Sequence, residues 1–193
     1  MNEHAAIPGL RYLGDYVTQD EAAALLAEID RQPWLADLKR RVQHYGWRYD
    51  YTRRRTSRDL FLGPLPAWAQ AVAERLHAAG HAPQIPDQVI VNEYEPGQGI
   101  ASHIDCEPCF GDTIISLSLG SPCLMTWTHA ADGRIIDTLL EPRSLVVMQG
   151  EARNDWKHGI PARKSDAFAS QTWRCPEGAH RRVSLTFRTV VLA

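Results

Sequence analysis

Asn92-Glu93-Tyr94-Glu95-Pro96-Gly97-Gln98-Gly99-Ile100-Ala101-Ser102-His103-Ile104-Asp105 is the stretch on which the reading of this chain turns. Its last three residues are spaced His-x-Asp, and a second histidine, His158, follows 53 positions after Asp105. On a strand, alternate side chains share a face, so residues i and i+2 can reach one metal ion together. The distant histidine must then come from another strand that the fold brings alongside. Two imidazoles and one carboxylate on one side of an ion, with the remaining positions open, are the ligand set of non-haem Fe(II) oxygenases.

Working outward, Asn92 and Tyr94 also share a strand face, and Tyr94 stands nine residues before His103. Near the other end, Arg182-Val183-Ser184-Leu185-Thr186-Phe187-Arg188 puts two guanidiniums six apart, an even interval and therefore one face. Arginine forks match carboxylates in a bidentate manner, and Asn and Tyr can complete the hydrogen bonding. An open iron site with several carboxylate clamps suits a dicarboxylic 2-oxo acid.

The 193 residues are 44% apolar, enough for one domain with an ample core. No apolar run approaches the roughly 20 residues that span a bilayer, and the start lacks the basic and apolar regions of a secretory signal. A soluble cytoplasmic monomer without membrane contact is therefore expected. Cys106 and Cys109 form a CxxC, but neither Cys123 nor Cys175 has a second cysteine close by, so reduced thiols are expected rather than structural zinc or a redox pair.

A net charge of −2 argues against indiscriminate nucleic-acid binding, but its distribution is uneven. Between Lys39 and Arg58 eight cations face one acid, a local +7 that leaves −9 for the rest. His44, Tyr45, Trp47, Tyr49 and Tyr51 are interleaved with these cations. Arginines that reach phosphates beside aromatics that stack on bases make a nucleic-acid surface. A solvated hairpin with its aromatics packed on the core is the alternative.

Thr18-Gln19-Asp20-Glu21 is a capping box, and Ala22, Leu25, Leu26 and Ile29 follow at helical spacing, which predicts a helix over 19–31. A second is predicted over 66–79, with Pro66 in its first turn, Trp68, Val72 and Leu76 on one face, and Gly80 at its end. Residues 41–51 read as strand or hairpin. Short strands are predicted over 88–94, 113–119, 123–128, 134–140, 144–149 and 182–191, separated by turn residues. The fold class is mainly β with flanking α-helices, a jelly-roll-like barrel in one domain. Within it, 1–86 forms a helical and nucleotide-recognition extension and 87–193 the core.

The ordered set Asn-x-Tyr, His-x-Asp, distal His and Arg-x5-Arg resembles the AlkB family of Fe(II)- and 2-oxoglutarate-dependent dioxygenases. The resemblance covers roughly residues 39–190. It implies a double-stranded β-helix, with His103, Asp105 and His158 holding iron. Arg182 and Tyr94 should hold the distal carboxylate of 2-oxoglutarate, while Asn92 and Arg188 attend its metal-proximal end. Ser184 stands where some members carry Asn. The implied reaction consumes dioxygen and 2-oxoglutarate and hydroxylates an alkyl carbon; on a base nitrogen, the product collapses with release of formaldehyde.

A buried iron cannot reach a base inside a duplex, so the base must be single-stranded or flipped. Tyr49 and Tyr51 are the stacking candidates, with Trp47 or Tyr45 as substitutes and Arg53 as a basic contact. Glu107 stands two past Asp105, where repair members often carry an acid that could read cationic alkylated bases. The wording of 92–100 and 116–121 resembles the branch that hydroxylates modified tRNA wobble uridines. Because the chain is too short for that branch's flanking RNA-binding and methyltransferase domains, and carries Glu107, the expectation is a stand-alone dealkylase of N-alkylated (methyl, etheno) bases acting in DNA repair. The alternatives are tRNA uridine hydroxylation, protein oxidation, and a non-catalytic nucleic-acid-binding module.

Overall fold

Residues 114–119 run Ile-Ile-Ser-Leu-Ser-Leu, and this alternation explains the architecture. Ile115, Leu117 and Leu119 point one way into an apolar core, while Ser116 and Ser118 point the other, into the barrel. The computed structural model describes residues 2–3, 6–36, 38–168, 171–174 and 181–192. In chain order these give β1 (Asn2–Glu3), β2 (Leu10–Leu13), α1 (Gln19–Asp30), β3 (Arg41–Tyr45), α2 (Ala67–Ala78), β4 (Gln88–Tyr94), β5 (Ile100–His103) and β6 (Ile114–Gly120). There follow β7 (Cys123–His129), β8 (Ile135–Leu140), β9 (Leu145–Met148), α3 (Gly150–Asn154), β10 (Trp156–Ile160), β11 (Ser165–Phe168), β12 (Gln171–Arg174) and β13 (Arg182–Arg188).

Among the described residues, one sheet has the order β1-β2-β9-β6-β13-β4-β3 and a smaller one the order β5-β10-β7-β8. Strands β11 and β12 form a separate antiparallel pair. The two larger sheets make the double-stranded β-helix core, with α1 and α2 outside. Helix α1 begins at the expected capping box: the Glu21 amide donates to Thr18 Oγ1, and the Thr18 amide donates to the Glu21 carboxylate. It buries Ala22, Leu25 and Ile29. Helix α2 starts one residue later than expected, with Pro66 outside it as N-cap. Its buried face is Ala69, Ala73 and Leu76, so Trp68 and Val72 sit at the margin of the core rather than in it. Small alanines there let the helix lie close to the sheet.

Against these helices pack Val89, Val91, Val147, Val183, Leu185 and Phe187 from the large sheet. A second apolar cluster lies between the sheets and includes Ile114, Met125, Trp127, Val146, Met148 and Trp156. The segment before residue 87 supplies more than an extension, because β2 pairs with β9 and β3 with β4 in the large sheet.

Two site-bearing strands escape the sequence patterns. Strand β5 is Ile-Ala-Ser-His and β10 is Trp-Lys-His-Gly-Ile; both are short, and neither is rich in branched residues. They pair with His103 opposite His158, and a register irregularity follows before Ile160 meets Ile100. Gly159 permits the approach, since a Cβ there would stand 2.9 Å from the Ser102 Cα.

Phe187 is fully buried between sheet and helices, so Phe187→Ala should lower stability by about 3–5 kcal/mol. Leu62→Ala, at 55% exposure, should change it by less than about 0.5 kcal/mol. Urea unfolding of both variants checks the contrast.

Candidate active site

Even spacing puts the polar groups of three neighbouring strands on the inner face of the large sheet. Strand β13 presents Arg182, Ser184 and Arg188 into a cavity of about 410 Å³, β4 presents Asn92 and Tyr94, and β6 presents Ser116. The ladder sets Arg182 opposite Tyr94 and Ser184 opposite Asn92. Across the cavity the smaller sheet contributes His103 and His158, and Asp105 follows just beyond the end of β5. All eight expected metal and 2-oxoglutarate residues thus line one space.

The His103 and His158 rings lie 4.5 Å apart between centroids, and His158 Nε2 is 3.9 Å from Asp105 Oδ2. His103 Nδ1 is 2.8 Å from the Ala101 carbonyl oxygen, which can only accept, so Nδ1 is the donor there and Nε2 is the nitrogen left for a metal. Burial holds the His158 imidazole down at about 4, against the pull of Asp105, so the ring is neutral near pH 7. Burial alone would raise the Asp105 carboxyl, but Arg188, then His158, His103 and Arg153, bring it down to about 2. Neutral imidazoles and an ionised carboxylate are the forms that bind metal.

The two oxygens of Asp105 differ. Oδ1 accepts from Arg188 Nη2 at 2.8 Å, while Oδ2 is buried without a partner. An unpaired buried carboxylate oxygen is costly and calls for a cation. Two donors each about 2.1 Å from one ion, at ordinary coordination angles, stand about 3.0–3.4 Å apart. At 3.9 Å, His158 and Asp105 are somewhat wider. No three ligating groups among the described residues are already gathered at metal spacing. A bound ion would have to draw them in slightly, and the donor chemistry fits it.

The co-substrate clamps are also under-satisfied. Arg182 Nη2 donates to Ser118 Oγ, but its Nε is buried without a partner, as are Nε and Nη1 of Arg188. Ser184 Oγ is within 3.0 Å of Ser116 Oγ. The Tyr94 ring faces two guanidiniums, that of Arg182 at 5.3 Å and that of Arg40 at 5.7 Å. Arg40 Nε also donates to Asn92 Oδ1 at 2.8 Å. Donors that lack acceptors in a buried, cationic pocket fit a dicarboxylate.

Of the substrate candidates, Tyr49 and Tyr51 line the cavity, edge to face at 5.1 Å. The others do not reach it. Trp47 turns away, its indole donating to Asp87 and its ring packing on Phe61 at 4.7 Å. Tyr45 packs on Trp68, and burial pushes its phenol up to about 12. Arg53 is exposed and pairs with Asp50, while its neighbour Arg54 lines the cavity. Glu107 is exposed in a 3-10 turn over 107–109 and lies outside the lining. Arg181, the neighbour of Arg182 in sequence, faces outward onto Asp30 and Glu93.

The expectation of reduced thiols at Cys106 and Cys109 is corrected: the two form a disulfide. The 3-10 turn brings their Cα atoms to 5.3 Å, within bridging range, and both sulfurs rest against the Arg54 carbonyl. Cys123 is buried and lies outside this disulfide, and Cys175 lies outside the described residues. Sequence reasoning missed Arg40 and Arg54 as cavity residues, although both lie in its basic window. It missed Arg153, whose position five before His158 carries no periodic signal.

A family model described as the 2OG-Fe(II) oxygenase superfamily matches residues 9–188. The chain belongs to this superfamily. Within it, the chain is of the AlkB type, and the superfamily's cofactor and co-substrate are Fe(II) and 2-oxoglutarate. It is 38% identical to the "Alkylated DNA repair protein ALKBH8 homolog" of Arabidopsis thaliana over 95% of this chain and 59% of that one. It is also 38% identical to the "tRNA (carboxymethyluridine(34)-5-O)-methyltransferase ALKBH8" of Macaca fascicularis, over 86% of this chain and 26% of that one. The chain therefore spans only part of the length of these relatives. A solved structure of OsALKBH1 superposes with a TM-score of 0.69 at 19% identity, covering 94% of this chain and 97% of that one, which supports the fold. No helix of the described residues is long and apolar enough to cross a membrane.

Arg182→Ala in this oxygenase should raise the KM for 2-oxoglutarate about ten- to hundredfold, the loss of a charged hydrogen bond worth about 1.5–3 kcal/mol. Arg181→Ala, outside the cavity, should leave it unchanged. Succinate formation against 2-oxoglutarate concentration measures both.

Proposed function

We propose that this chain is an Fe(II)- and 2-oxoglutarate-dependent dioxygenase that oxidises a modified base in nucleic acid. In this reading His103, Asp105 and His158 hold the iron. Arg182 and Tyr94 hold the distal carboxylate of 2-oxoglutarate, and Asn92 and Arg188 face its other end. The observation that carries the reading is the unpartnered Asp105 Oδ2 beside a neutral His158, in one cavity with the unfilled donors of Arg182 and Arg188. Iron, dioxygen and 2-oxoglutarate together supply succinate, CO₂ and one hydroxyl group for the substrate.

The chain's own part is orientation and exclusion of water. Arg188 occupies one oxygen of Asp105, which leaves the other oxygen as the one that would hold the iron. Trp127 packs 5.7 Å from the His158 ring and keeps that side dry. Tyr49 and Tyr51 stand where a flipped base would enter, with Arg40 and Arg54 beside them.

Charge narrows the base. Once two carboxylates pair with Arg182 and Arg188, the cations left facing a substrate are Arg40 and Arg54. Glu107, on which recognition of cationic N-alkylated bases rested, is outside the cavity. A positive wall repels a cationic base and tolerates a neutral or anionic one. This favours hydroxylation of a modified tRNA uridine, the base named for the macaque relative. Dealkylation of DNA is the second reading, carried by the name of the Arabidopsis relative; uncharged etheno lesions suit the same cavity.

Assay of products from modified tRNA and from methylated and etheno oligonucleotides tests both readings. Hydroxylated uridine without formaldehyde or glyoxal is expected, and turnover should vanish in His103→Ala, Asp105→Ala and His158→Ala. Release of formaldehyde or glyoxal from DNA alone would reverse the order of the two readings. Tyr51→Ala should weaken nucleic-acid binding by about 1–3 kcal/mol if the ring stacks on the base. Trp47→Ala should leave that affinity unchanged in a filter-binding titration, because Trp47 does not reach the cavity.

A further inference from the structure

Arg153 is a buried cation, 3% exposed, that does not line the cavity and so cannot clamp a ligand there. It lies on α3, the short helix that leads into β10, five residues before His158. Its two terminal nitrogens point at consecutive carbonyls of the other ligand-bearing segment: Nη1 donates to the Asp105 oxygen at 3.1 Å and Nη2 reaches the Cys106 oxygen at 3.4 Å. The place matters, because β5 ends at His103 and the ladder no longer holds the chain at Asp105. A planar fork fixes two acceptors at once, as a single point donor cannot.

We infer that Arg153 is a positioning residue for the metal site, tying the Asp105 segment to the helix that sets His158. Arg188 orients the Asp105 carboxylate from the side-chain end, and Arg153 fixes the peptide from which it springs. The two arginines thus act on opposite ends of one residue. Neither contact needs the ion, so the segment is held before metal arrives. This inference rests on the proposed ligand set.

The test is Co(II) binding by the full chain, followed by calorimetry with and without 2-oxoglutarate, alongside thermal unfolding. Arg153→Met should weaken Co(II) binding about ten- to hundredfold, the usual effect of removing a group that supports a metal ligand. Arg153→Lys, which keeps the charge but not the fork, should recover part of that loss. Leu76→Ala is the control, since it loosens the helix–sheet core far from the site; it should lower the unfolding temperature and keep wild-type Co(II) affinity. Wild-type affinity in Arg153→Met, or an equal loss in Leu76→Ala, overturns the inference. If Arg153→Met does not fold, wild-type affinity in Arg153→Lys overturns it and weakened affinity supports it. Wild-type protein that takes up no Co(II) overturns the ligand set itself, and so separates the two failures.

Discussion

A buried carboxylate with unequal oxygens organises this protein. Asp105 sits between two sheets, ionised because cations surround it, with Arg188 on Oδ1 and nothing on Oδ2. Burying such a group is unfavourable unless each charged atom finds a partner. The fold supplies one partner and leaves the other place open towards His158. That imbalance is tolerable only if the large sheet delivers Arg188 to within hydrogen-bond reach. The register of β13 between β4 and β6 is therefore part of the site, because a slip of one residue would turn every arginine and serine of β13 into the helix-facing core.

The same register explains where stability comes from. On β13, Val183, Leu185 and Phe187 face the helices while Arg182, Ser184 and Arg188 face the cavity. On this strand the polar side chains face the inside of the barrel and the apolar set lies outside, capped by α1 and α2, while the second apolar cluster packs between the sheets. The small alanines of α2 have the same logic, since a close helix buries the valines of the sheet without bulk of its own.

Much of this was legible in the chain. Short runs rich in Val, Ile, Leu and Thr between turn residues marked β4, β6, β9 and β13, and the capping box marked α1. The resemblance carried by Asn92, Tyr94, His103, Asp105, His158, Arg182 and Arg188 named residues that do share one cavity. What was illegible had a common cause. Strands β5 and β10 are short and carry one branched residue each, so their pairing through Gly159 comes from tertiary approach rather than propensity. Trp47 and Tyr45 alternate correctly with Tyr49 and Tyr51, but alternation cannot say which aromatics meet α2 and Phe61 and which meet the cavity. Glu107 is displaced by the 3-10 turn that also joins Cys106 to Cys109, a local bend with no periodic trace.

That turn bears on substrate choice. An acid two past Asp105 would face the cavity if the strand continued, because side chains of an extended chain alternate. The chain instead leaves the ladder after His103 and folds into a turn. Its disulfide lies against the Arg54 carbonyl, so the turn abuts the basic segment that carries Tyr49 and Tyr51. The outcome is a cavity lined by Arg40 and Arg54, with Glu107 outside the lining. In the proposed reading, charge selection at the cavity thus follows from where β5 stops. Two chains with the same His-x-Asp could present opposite fields to a base by ending this strand differently.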